Sequence, residues 1–96
     1  MKLRVWWIPQ VPGKPFIVPV PTLEVGVLVM DTLADYDMFQ FKNNIKPDYS
    51  NAGGLEMREG REWEDWYDEE TGHDDPREWL EEYQAERQMK DSQEVE

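Results

Sequence analysis

The sequence has no cysteine, a single histidine (His73) and only two serines (Ser50 and Ser92). Without cysteine there is no disulfide framework, no thiolate nucleophile and no cysteine-based metal site. Nucleophilic catalysis needs an activated nucleophile beside a base held by a third group. With one histidine in an acidic loop, that arrangement has little to draw on, so we read the chain as non-enzymatic and expect no cofactor. Long hydrophobic runs are missing too. The longest apolar-leaning stretch, residues 25–30, is far shorter than the roughly 20 residues of a membrane span, and no segment reads as a signal peptide. Positive charge is scarce: 10 Lys+Arg against 22 Asp+Glu give a net −12. That balance disfavours direct binding to nucleic acid, where affinity comes from neutralising phosphates, and it disfavours docking on an anionic membrane surface.

What is there fits one small domain with a thin core. Its charge is uneven. Residues 1–62 carry 7 basic and 8 acidic side chains, whereas residues 63–96 carry 3 and 14. Six of the seven prolines precede Trp63. We expect a folded α+β body over residues 1–67, and an acidic linker with a C-terminal helix over residues 68–96.

Residues 3–8 (LRVWWI) are rich in β-branched and aromatic side chains and stop at Pro9, the signature of a strand. A period of two sends Leu3, Val5 and Trp7 to one face and Arg4, Trp6 and Ile8 to the other. Residues 16–20 read as a second strand, pushed to an edge by Pro15, Pro19 and Pro21. Thr22 can cap a helix, and Leu23, Val27, Met30 and Leu33/Ala34 carry it at helical spacing over about 22–35. Residues 38–42 (MFQFK) alternate and predict a third strand. A polar loop follows over residues 43–51, and then a hairpin of residues 53–59 and 61–67 around Gly60. Asp75-Pro76-Arg77-Glu78 supplies a helix start, so a last helix should run from Pro76 to about Met89. The expected order is β-β-α-β-β-β-α, a small, mostly antiparallel sheet with one packed helix and an acidic helix at the end.

The acidic run of residues 68–75 lacks the alternation and closing glutamate of an EF-hand loop. It reads as solvated, and no metal site is expected. Glu78, Glu82 and Glu86 recur every four residues, about 6 Å apart along a helix, which resembles phosphate spacing. The opposite-charge pairs Arg77–Glu81 and Glu86–Lys90 dilute that face. The aromatics are more informative. Trp6, Trp63 and Trp66 sit on expected strands of one thin sheet, and tryptophan faces stack well on nucleobases. The loop before the hairpin adds a cation (Lys46), a ring (Tyr49), an amide (Asn51) and two glycines (Gly53, Gly54) whose backbone N–H groups a ligand could approach. Together these eight residues form the candidate ligand site.

Residues 2–12 (KLRVWWIPQVP), Asp35-Tyr36-Asp37 with Phe39-Gln40, residues 46–56 and residues 63–72 (WEDWYDEETG) resemble small acidic proteins of tailed bacteriophages and prophages. Some of these are described as superinfection exclusion proteins. The resemblance covers most of residues 1–72 and stops there, and it brings no catalytic residues with it. It implies a phage accessory protein acting in the infected bacterium. With no span, no signal and the wrong charge for a membrane surface, we expect it in the cytoplasm, acting against host defence or a competing phage. Two readings follow for how it acts. In the first, the protein sequesters a small nucleotide-like ligand in an aromatic and amide-lined pocket. In the second, its acidic surface occupies a basic surface of a host protein. A homo-oligomer is expected, because so small a domain gains apolar burial by pairing.

Overall fold

The structure, a computed structural model, describes the backbone of residues 1–94 and the side chains of residues 1–85. The elements are β1 (Lys2–Ile8), β2 (Phe16–Val20), α1 (Leu23–Lys42), β3 (Ala52–Arg58), β4 (Glu64–Asp65) and α2 (Pro76–Glu94). The chain divides into two compact units, Met1–Asp65 and Trp66–Glu96.

In the first unit four antiparallel strands lie in the order β2-β1-β3-β4. The α+β class read from the sequence is therefore borne out. β1, the most apolar strand, is central, and proline-bearing β2 is an edge. That placement suits Pro19, which lacks an N–H for a second ladder. Leu3, Val5 and Trp7 turn to the face that α1 covers. Val5, Trp7, Val20, Leu55 and Met57 are buried there with Val27 and Met30 of α1. Each such side chain is worth about 1.5–3 kcal/mol when fully buried, and this one layer is the unit's core. Gly26 lowers helix propensity by about 1 kcal/mol relative to alanine. It also lets α1 close on the sheet, since a Cβ there would lie 2.9 Å from Leu55 Cδ1.

The Thr22 cap forms as expected, its hydroxyl accepting from the Val25 N–H at 3.2 Å. The predicted strand over residues 38–42 does not form. These residues are the last turns of α1, and the sheet loses that strand. Alternating Phe39 and Phe41 imitate a strand, but Asp37 and Met38 continue the helical series that faces the core. The stop comes at Asn43, whose side-chain amide and N–H both donate to Phe39 O, at 2.8 and 3.1 Å. Asn44 then takes a positive φ of 60°, a conformation asparagine tolerates better than most residues.

In the second unit α2 starts at Pro76 as expected, with Asp75 Oδ1 accepting from the Arg77 N–H at 2.9 Å. The side chains of Glu86 and Lys90, which the acidic-stripe reading used, lie outside the described residues. Among the described residues no helix is long and apolar enough to cross a membrane.

Candidate ligand-binding site

The register of β1 on β3 sets Trp7 opposite Gly53 and Trp6 opposite Gly54. Each indole lies against a glycine with no side chain in its way, one on each face of the sheet. A Cβ at Gly53 would come within 2.1 Å of Trp7 Cε3, and one at Gly54 within 2.8 Å of Trp6 Nε1. The two glycines thus seat tryptophans within a strand. The sheet therefore sorts the expected site residues into separate places.

On the α1 side, Asp37 is 3% exposed and gathers three donors. Trp7 Nε1 and Asn51 Nδ2 each donate to Oδ2 at 2.9 Å. Lys46 Nζ lies 3.4 Å from Oδ1, with both side chains nearly sequestered from water, and it also donates to the carbonyl of Pro9. The loops around this hub are tied together by the Val11 N–H to Ser50 O at 2.7 Å and by Gln10 Nε2 to Asp48 Oδ1 at 2.7 Å. The bonds from Gln10 and then Ser50 hold the Asp48 carboxyl below its usual range. Tyr49 donates to Ala34 O at 3.3 Å. Lys46, Tyr49 and Asn51 are therefore occupied by the protein's own acceptors. They hold the 43–51 loop to α1 and β1.

The other sheet face carries Trp6, Gly54 and Trp63 of the expected set, and cations that the sequence reading passed over. Arg4 Cζ sits 4.1 Å from the Trp63 ring centroid and Arg58 Cζ 5.0 Å. Contacts of this kind are worth about 0.5–1 kcal/mol at exposed sites. Arg4 Nε also donates to Glu56 Oε1 at 2.8 Å. The register places Lys2 beside Arg58 and Arg4 beside Glu56. Two guanidinium groups thus flank an indole and Lys2 lines the same cleft, with Glu56 on Arg4 and Asp65 opposite Glu56 in register, in a chain whose net charge is −12. Next to them opens a cleft of about 440 Å³ that Lys2, Arg4, Arg58 and Trp63 line together with Ile17 and Pro19, a volume within the range of small-molecule sites. Arg4 and Arg58 are 54 positions apart, and only strand pairing unites them. The available clue was the period-two placement of Lys2 and Arg4 on the face of Trp6.

Trp66 belongs to the second unit. It is buried, and its ring meets Trp79 edge-on at 6.2 Å, while Trp79 stacks on Tyr83 at 5.2 Å. The turn before α2 is built on Asp68. Its Oδ2 accepts from the Thr71 hydroxyl at 2.6 Å and from Trp79 Nε1 at 3.0 Å. His73 Nε2 lies 2.8 Å from Glu82 Oε2. The Thr71 hydroxyl is the chief reason the Asp68 carboxyl is held below its ordinary 3.8, with the Thr71 N–H and Trp79 assisting. A lowered carboxylate contributes stability that is present above the ordinary value and is lost as pH falls through the lowered one. Carboxyl-carbon NMR should therefore find Asp68 titrating below 3.8, and Thr71→Val should move it upward. An unchanged midpoint in that variant would assign the depression to another donor.

A family model described as superinfection exclusion gene product 17 matches residues 2–85. The superinfection exclusion protein of Salmonella phage P22 is 56% identical over 94 aligned positions, covering 84% of this chain and 91% of that protein. The family match continues past Gly72, where the resemblance visible in the sequence stopped, and takes in the first half of α2. No solved structure matches.

Proposed function

We propose, from the premise that this chain belongs to the superinfection exclusion gene product 17 family, that it serves exclusion as a non-catalytic binding protein inside the infected cell. Its ligand is a compact anion bearing a flat ring, as a nucleotide does. The observation that carries this reading is the cationic and aromatic cleft of Lys2, Arg4, Arg58 and Trp63. Guanidinium groups favour phosphate through paired N–H donors, and the indole offers a face or edge to a base. The cleft lining offers no nucleophile paired with a base, which suits holding a ligand rather than converting it. The chain's net charge of −12 disfavours a long polyanion while a small one is still met by three local cations, so a mono- or dinucleotide fits better than duplex DNA.

Calorimetry with a panel of linear and cyclic mono- and dinucleotides tests this directly. Binding should weaken as salt rises. A charge-assisted hydrogen bond contributes about 1.5–3 kcal/mol, so Arg58→Gln should weaken binding at least about tenfold. Lys14→Gln, which does not line the cleft, should leave it unchanged. No heat from any member of the panel, or equal losses in both variants, would remove the reading.

The second reading rests on the unit Trp66–Glu96, which holds 12 acidic and 3 basic side chains. It would occupy a basic surface of a host protein. Reversing Glu78 and Glu81 to lysine would then abolish exclusion while nucleotide binding at the cleft survived.

A further inference from the structure

α1 is apolar on two opposite sides. Gly26, Val27, Met30 and Asp37 are its buried residues. Val25, Leu28, Thr32, Tyr36 and Phe39 are all exposed, with Leu28 at 64%, Tyr36 at 57% and Phe39 at 55%. At 100° per residue these five fall within about 40° of the direction of Thr32, while the buried set lies about 120° or more away. A solvated helix face is ordinarily polar. This one holds a leucine, a valine and two stacked rings, Tyr36 and Phe39, 6.4 Å apart at 17°.

We infer that this stripe is the interface of a homodimer in which the α1 helices of two copies pack antiparallel about a two-fold axis beside Thr32. The stripe is complementary to itself in that arrangement. Val25 and Phe39 stand seven residues either side of Thr32, and Leu28 and Tyr36 stand four either side. Each aliphatic end therefore meets the aromatic shelf of the other copy. Thr32, at the crossing, brings no unpaired donor, because its hydroxyl already donates to Leu28 O at 2.8 Å. The charges select a second copy over another partner. Glu24 in the first turn and Lys42 in the last lie on the same flank of the stripe, each about 80° from Thr32. A two-fold axis keeps flanks together and exchanges ends. Glu24 of one copy then meets Lys42 of the other, about 3 Å apart in level along the axis, and the pair occurs twice. Asp31 and Asp35 share that flank nearer the axis and oppose the association.

Sedimentation equilibrium of the full chain across micromolar concentrations should give twice the mass of one chain. Leu28→Glu, at an exposed position, should give a folded monomer, with folding checked by circular dichroism. Glu24→Lys should weaken the dimer about tenfold, since it turns two attractions into two repulsions, and Glu24→Lys with Lys42→Glu should restore it. Asp35→Asn should tighten it. A wild type that stays monomeric overturns the inference. So does a dimer indifferent to Leu28→Glu, or a charge exchange that fails to restore what Glu24→Lys removed. Nucleotide binding at the cleft is read separately, so either conclusion can fail alone.

Discussion

Asp37→Ala is expected to destabilise the protein by about 3–5 kcal/mol, the usual consequence of removing one partner of a buried ion pair. The carboxylate is 3% exposed and accepts from Trp7 and Asn51 while facing Lys46. Its removal leaves the Lys46 ammonium without its counter-charge, held only by the Pro9 carbonyl, and the Trp7 and Asn51 N–H donors without their acceptor, in a place nearly closed to water. The loss is large because unfolding free energies of whole domains are only about 5–15 kcal/mol and this one has a single core layer. Urea unfolding followed by tryptophan fluorescence should show a much lower midpoint or no folded baseline. The uncompensated charge is the larger part of the penalty, so adding Lys46→Met to Asp37→Ala should recover a good part of it. If Asp37→Ala costs under about 1 kcal/mol, the range of an exposed pair, the hub is not the tie that its burial indicates.

Gly53→Ala should be the next most damaging change, at about 3 kcal/mol, the upper end of ordinary overpacking. The added Cβ would overlap Trp7 at 2.1 Å. Trp7 cannot swing aside without giving up its bond to Asp37, and the backbone of Gly53 is fixed in the ladder opposite Trp7. Gly54→Ala is the control. Its Cβ would meet Trp6 at 2.8 Å, but Trp6 is only half-buried and its ring can shift outward. Relief of glycine's backbone entropy, about 0.5–1 kcal/mol, offsets part of the remainder, so this change should cost under about 1 kcal/mol. Near-UV circular dichroism should show the Trp7 environment altered in Gly53→Ala alone. Equal losses in the two variants would show that the faces do not differ in freedom.

Strand β1, its two faces, the edge placement of β2, the Thr22 cap, strand β3 and the Pro76 helix start were all legible in the sequence. Each depends on local rules: period-two alternation, proline's missing N–H, a side-chain oxygen at a cap. The expected partner strand over residues 61–67, by contrast, is only Glu64–Asp65, with Trp63 and Trp66 outside it. The acidic bias of the C-terminal third was equally plain. Residues 38–42 were misread because Phe39 and Phe41 alternate as strand residues do. Only the continuation of the core face through Asp37, and the capping at Asn43, show that the helix goes on.

The candidate site was half legible. The sequence pointed to Trp6 and Trp63 as informative rings, and the structure places both on the open face of the sheet. Lys46, Asn51 and Gly53 had the residue types of a ligand loop, but pairing gave them to Asp37 and Trp7. Composition cannot tell a cation that awaits an anion from one already neutralised by a buried carboxylate nine positions earlier. Nor can it bring Arg58 to Arg4, or set Leu28 and Phe39 on the side of α1 away from the core. By itself the sequence determined the sign of the charge, the face of each β1 residue and the type of every element except the end of α1. The tertiary structure decided which partners those charges meet, because burial and cross-strand register are properties of segments far apart in the chain.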